Sequence, residues 1–171
     1  MDAIALLKRD HAEVKELFSQ VEELSERATA SRGKLCEKIT QALELHTKIE
    51  EGIFYPAFKS RAEDSEEREG ILEAYEEHAV AKMLIGELQN MDPSDETFSP
   101  KLTVLMESVR HHIKEEEGKI FKMARELFEK DELNELGEQL ETAKAEEGGA
   151  PSTRSRRGEV ESTGQRRTAR R

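Results

Sequence analysis

Apolar residues recur every three or four positions in four long stretches, and each stretch predicts an amphipathic helix. The first runs from about residue 3 to 28, with Ile4, Leu7, His11, Val14, Phe18, Val21 and Leu24 on one stripe. The second runs from about 34 to 60, with Leu35, Ile39, Ala42, His46, Ile49, Glu50, Ile53 and Phe54 turned inward. The third covers about 65 to 90 (Ile71, Ala74, Tyr75, His78, Ala81, Ile85, Leu88), and the fourth about 100 to 130 (Leu102, Leu105, Val109, His112, Ile113, Glu116, Ile120, Leu127). Asp2 suits an N-cap, Asp64 with Glu67 a capping box, and Ser99-Pro100 a cap followed by Pro at the first helical position. Pro56 removes a backbone donor, so the second helix is expected to kink or end there. Short connections predict antiparallel neighbours, hence an all-α, up-down-up-down four-helix bundle over residues 1–130. Leu133, Leu136 and Leu140 predict a short fifth helix over 131–147, packed on one end of the bundle. Residues 148–171 are nearly free of apolar side chains and read as a disordered, Arg-rich tail.

Composition narrows the picture. A chain of 171 residues suits one domain plus a tail, and 38% charged with 5% aromatic residues favours long exposed helices over a sandwich or barrel. No run of eighteen apolar residues predicts a membrane span, and the N-terminus lacks the pattern of a secretory signal. Cys36 is the single cysteine and reads as an ordinary thiol, so a reducing cytoplasm is the expected setting. The net charge of −11 is uneven: residues 150–171 hold seven Arg and two Glu, a net +5, which leaves −16 on the rest. So acidic a body repels nucleic acid and anionic membrane. The tail has no aromatic residue to stack on a base, and reads more simply as a solvated terminus than as an arm for an acidic partner or nucleic acid.

The candidate chemistry lies on the stripes. Four of the five histidines, His11, His46, His78 and His112, fall one per helix on the apolar face. His11 and His46 are 35 residues apart, His78 and His112 are 34 apart, and this spacing reads as two hairpins of similar design. HTKIEEG (46–52) matches HIKEEEG (112–118), and an aromatic follows each, Phe54 and Phe121. Residues i and i+4 share a helix face, so His46 with Glu50 and His112 with Glu116 can each present a nitrogen and a carboxylate to one ion. A single His-x-x-x-Glu arises easily in so Glu-rich a chain, as His111 and Glu115 illustrate. Six polar groups converging in one slim core are another matter. Buried carboxylates without partners cost several kcal/mol each, and no Lys or Arg recurs on the stripes at that level. Two cations would neutralise them. Imidazole with carboxylate suits iron, manganese or zinc, the absence of thiolates argues against a structural zinc site, and bridging carboxylates suit a dinuclear iron centre. Neither the Glu-x-x-His signature of ferritin-like bundles nor His-Glu-x-x-His is present.

On these residues the chain resembles the hemerythrin-like family, the HHE cation-binding domain, over about residues 1–130. The resemblance implies that His11 and His46 serve one iron, that His78 and His112 serve the other, and that Glu50 and Glu116 bridge them beside an oxo or hydroxo group. Oxygen-carrying members use a fifth histidine where this chain has Ala74, and end on His-x-x-x-x-Asp where this chain offers Glu116 or Glu117. Reversible oxygen carriage is therefore not the expectation. The implied function is a di-iron protein that binds O2, peroxide or nitric oxide, in detoxification under oxidative stress or in iron homeostasis. As an enzyme it would be catalase-like or nitric-oxide-handling, and the alternative is a non-catalytic oxygen- or iron-sensing module. Without the fifth imidazole the resemblance implies an open or replaced position on the iron that His78 serves, and Tyr55 reads as a phenol for it, a hydrogen-bond partner of the bridge, or a plain core phenol. Glu51 and Glu117 read as solvated side chains or as outer groups that orient the imidazoles, ahead of a place as additional ligands. Phe18, Phe54, Phe121 and Met123 read as a dry pocket wall, and His111 as peripheral.

Overall fold

The computed structural model describes residues 1–148, and the expected disorder of the tail lies outside them except at Gly148. Its helices are α1 (Ala3–Glu22), α2 (Thr29–Ile49), α3 (Tyr55–Arg61), α4 (Ser65–Gln89), α5 (Phe98–Glu115), α6 (Phe121–Leu127) and α7 (Lys130–Gly148). A π-helical turn, Glu50–Phe54, joins α2 to α3, and another, Glu116–Ile120, joins α5 to α6. These joined segments act as single long helices, so the bundle has four long members and α7 as a fifth. No described helix is long and apolar enough to cross a membrane.

Local sequence explains most boundaries. The Ala5 N–H donates to Asp2 Oδ1 at 2.8 Å, which caps α1. Asp64 and Glu67 satisfy each other's backbone donors at the start of α4, as a capping box requires. The start of α5 differs from expectation. It begins at Phe98, with Pro100 inside the first turn, where no N–H is needed. Asp95 Oδ1, rather than Ser99, orders the entry by accepting from the Thr97 N–H (2.8 Å) and hydroxyl (2.7 Å). Pro56 does not end the second long helix either. It sits in the first turn of α3, just after the π turn. The fifth helix, expected over 131–147, spans Lys130–Gly148.

Packing divides the core in two, with the histidines between. One cluster gathers Ile4, Leu7, Phe54, Phe58 and Phe121 under the Leu133, Leu136 and Leu140 stripe of α7. The other gathers Val14, Phe18, Ile39, Leu43, Leu105 and Val109 at the opposite end. Helix α7 rides on α1 and α2. A Cβ on Gly137 would lie 2.1 Å from the Met1 carbonyl oxygen and 2.9 Å from the Ala3 nitrogen, so only glycine permits this approach. Seven residues on, Lys144 pairs with Asp10, which is seven residues on from Ala3. The two helices therefore run side by side in the same direction.

Candidate metal centre

Helical register carries one imidazole from each of α1, α2, α4 and α5 to a common interior point. His11, His46, His78 and His112 are buried, and Glu50 and Glu116 have no exposed surface. Within each hairpin the imidazoles meet through their Nε2 atoms, 3.2 Å apart for His11 and His46 and 3.1 Å for His78 and His112. The carboxylates connect the two pairs. Glu50 Oε2 lies 3.1 Å from His46 Nε2 and 3.2 Å from His78 Nε2. Glu116 Oε2 lies 3.2 Å from His11 Nε2 and 3.5 Å from His112 Nε2. Each carboxylate thus spans both pairs. One donor atom from each of His11, His46, Glu50 and Glu116 falls within 4.8 Å of the others, and the same holds for Glu50, His78 and His112.

Two details show that the residues fit metal ions. Glu50 Oε1 and Glu116 Oε2 are buried without a hydrogen-bonded partner. Among the described residues, every ion-pair contact of these two carboxylates is to a histidine. Burial alone would depress the basicity of His46, but the charge of Glu50, hydrogen bonding to Asp10 and Glu50, and the charge of Glu116 raise its pKa to about 10. Burial likewise opposes the ionised form of Glu50, yet the charge and hydrogen bonds of His46, followed by His78, hold its carboxyl well below the usual range. Protons therefore occupy the place that cations would take in a loaded site.

The π turns decide which aromatic meets the centre. The Tyr55 N–H donates to the Glu50 carbonyl, and the Phe121 N–H to that of Glu116, both five residues back. The wider turn brings residue i+5 over its glutamate, where an α-helix would carry it to another face. Tyr55 and Phe121 are thus the equivalent pair, rather than Phe54 and Phe121. Phe121 stacks on His11 with ring centres 5.7 Å apart. The Tyr55 hydroxyl donates to Glu116 Oε1 at 2.9 Å and lies 3.1 Å from His78 Nε2 and 3.5 Å from His112 Nε2. It is not a core phenol on a backbone partner. Burial, then the charges of Glu50 and Glu116, push its pKa well above 10, so it stays a hydroxyl. The two halves of the centre differ at this position.

Outward, each imidazole Nδ1 faces a carboxylate. Glu117 Oε1 is 2.9 Å from that of His11, Glu51 Oε1 is 3.0 Å from that of His78, and Glu77 Oε2 is 2.5 Å from that of His112. Asp10 Oδ2 is 3.6 Å from that of His46. Sequence reasoning missed Asp10 and Glu77. The available signal was an acidic residue immediately before the stripe histidine of each hairpin, at Asp10-His11 and Glu77-His78. His111 is exposed and lies 3.3 Å from Glu77.

A small recess against the imidazoles, with about 20 Å³ of open space, is walled by Val14, Leu43, Ala81, Val109 and Ile113. Phe18, Phe54, Phe121 and Met123, all expected on the pocket wall, do not line this recess. Phe18 lies two turns along α1 from His11, beyond Val14, and Met123 is a half-buried residue on the far cluster. Phe54 closes the opposite side by packing edge-on to Phe121, with centres 5.8 Å apart. Cys36 is buried away from the centre, and burial followed by the charge of Glu37 pushes its thiol up to about 11.

Comparison with known proteins agrees with this geometry. Residues 2–124 match the family described as the Hemerythrin HHE cation binding domain. An uncharacterized hemerythrin-like protein of Schizosaccharomyces pombe is 28% identical over 109 residues, 64% of this chain and 52% of that protein. A DNA nickase of Nostoc sp. is 21% identical over 140 residues, 82% of this chain and 38% of that protein. The chain thus spans about half the length of these relatives or less. A crystal structure of a Hemerythrin HHE cation binding domain-containing protein from Mycobacterium kansasii superposes with a TM-score of 0.74 at 23% identity, covering 87% of this chain and 88% of that one. At that identity the likeness is one of fold.

Proposed function

The chain belongs to the hemerythrin HHE cation-binding family, and from that premise we propose that it is a non-heme di-iron protein acting on a small oxidant, O2, peroxide or nitric oxide. His11 and His46 would hold one ion, His78 and His112 the other, with Glu50 and Glu116 shared between them. The observation that carries this reading is the placement of each carboxylate between one imidazole of each pair. When bound, two oxo- or hydroxo-bridged iron ions would supply paired redox equivalents at adjacent positions. The residues around them do the rest. Phe121 and Phe54 exclude water on one side, and the apolar recess admits a small neutral molecule on the other. Tyr55 holds a proton beside Glu116 and the His78 pair. The outer carboxylates fix which imidazole nitrogen faces inward.

Peroxide disproportionation or nitric oxide handling, in defence against oxidative stress, is the activity proposed, in a cytoplasmic setting suited to the lone Cys36. The net −16 of residues 1–149 opposes nucleic-acid binding by the bundle. Elemental analysis of purified protein tests the core of the reading, with about two iron atoms expected per chain. Oxygen evolution on adding peroxide, lost in His46→Ala and Glu116→Ala, supports catalysis. Full iron loading without turnover would instead favour a non-catalytic oxygen- or iron-sensing module, and absence of iron would refute both.

A further inference from the structure

The four outer carboxylates are each held by a second group. Lys15 Nζ lies 3.5 Å from Glu117, Lys82 Nζ lies 2.6 Å from Glu51, and His111 Nε2 lies 3.3 Å from Glu77. All three belong to helices that also carry ligand histidines: Lys15 on α1, Lys82 on α4 and His111 on α5. The fourth partner does not. Asp10 Oδ1 is held by Lys144, on α7, while its Oδ2 faces His46 Nδ1. Asp10 is buried, and its other cationic neighbour, Arg9 Nε, lies at 4.0 Å. Asp10 Oδ2 and His46 Nδ1 are buried 3.6 Å apart as an ion-pair contact, and neither atom has a hydrogen-bonded partner.

Lys144 reaches this position because it extends the apolar stripe of α7. Leu133, Leu136, Gly137 and Leu140 lie on that stripe, and Lys144 follows Leu140 at i+4. The close approach at Gly137 fixes the height of α7 against α1, and this sets Lys144 level with Asp10.

We infer that Lys144 is a positioning residue for the metal pair: through Asp10 it orients His46, so α7 is part of the first metal site and not only a cover for the bundle. This rests on the di-iron reading. Without Lys144, Asp10 is a buried carboxylate free to turn away, and His46 loses the group that fixes its ring. The second site, with its outer groups Glu51 on the π turn after α2 and Glu77 on α4, does not depend on Lys144. Loss of an outer partner of a metal-bound imidazole typically costs 10–100-fold in metal affinity.

The test loads the full chain with Fe²⁺ without oxygen and follows removal of the metal by a ferrous chelator. Wild type should hold two ions. In Lys144→Met one of the two should leave about 10-fold faster or more, the other should keep its wild-type rate, and Lys144→Arg should restore the first. Glu147→Gln breaks the 2.6 Å Lys48–Glu147 pair between α2 and α7 without touching Asp10, and should leave both rates unchanged. Both ions leaving Lys144→Met at wild-type rates would overturn the inference while the di-iron reading stands. Equal acceleration of both ions, or the same effect in Glu147→Gln, would show general loosening of α7 and overturn it too. Fewer than two ions in wild type would overturn both readings.

Discussion

Replacing Glu50 with Gln in the metal-free protein tests the electrostatics of the centre most directly. The substitution keeps the shape of a fully buried side chain and removes its charge. In the metal-free state that charge is the largest contribution holding a proton on His46, whose pKa rises from 6.5 to about 10 against the opposing effect of burial. A group whose folded pKa is raised adds stability that is complete below its unfolded pKa and is lost as pH climbs through the folded one. A shift of this size corresponds to about 4–5 kcal/mol at pH 6 and to less than about 1 kcal/mol at pH 9.5. Asp10 and Glu116 share in the shift, so Glu50→Gln should forfeit the larger part, roughly 2–4 kcal/mol at pH 6. The depressed carboxyl of Glu50 adds a second limb with the opposite sign. Its contribution is present above the ordinary value of 4.5 and fades as pH falls. The gap between wild type and variant should therefore be widest between about pH 4.5 and 6.5 and nearly close by pH 9.5. Urea denaturation followed by circular dichroism, with chelator present and at both pH values, measures it. A gap of equal size at pH 6 and pH 9.5 would mean that packing, not charge, is lost, and the argument for a proton standing in for a cation would fail.

Three further outcomes are expected. Ferrous loading at 100 times the dissociation constant of each site should stabilise the fold by about 2.7 kcal/mol per site, raising the melting temperature by roughly 10–20 °C for two sites. Thermal melts with and without metal measure this, and no shift would count against metal binding. Tyr55→Phe makes the two halves alike and leaves Glu116 Oε1 without its 2.9 Å donor. The metal-free melting temperature should fall by about 3–10 °C, reflecting roughly 1–3 kcal/mol for an orphaned buried acceptor. Gly137→Ala drives a methyl into the Met1 and Ala3 backbone and should cost at least about 1–3 kcal/mol. Faster proteolysis within 130–148 would report the lifting of α7, and wild-type resistance would argue against the tight approach.

Local sequence determined a great deal about this protein. Helical period is a property of neighbours three and four apart, so the stripes, the bundle and the burial of His11, His46, His78, His112, Glu50 and Glu116 could be read from spacing alone. Two of the three expected helix starts followed for the same reason, because Asp2 and the Asp64–Glu67 pair act within one turn. The π turns were not legible, since a widened turn depends on what the helix packs against, although the repeat itself sets Tyr55 and Phe121 each five residues after its glutamate. Partners across helices were only hinted at. An acidic residue precedes His11 and His78, but it is the fold that sets Asp10 against His46 and Glu77 against His112, each on the following long helix. Lys144 lies 134 residues from Asp10. Only the height at which α7 settles against α1, fixed where Gly137 meets the N-terminal backbone, brings that ammonium to that carboxylate.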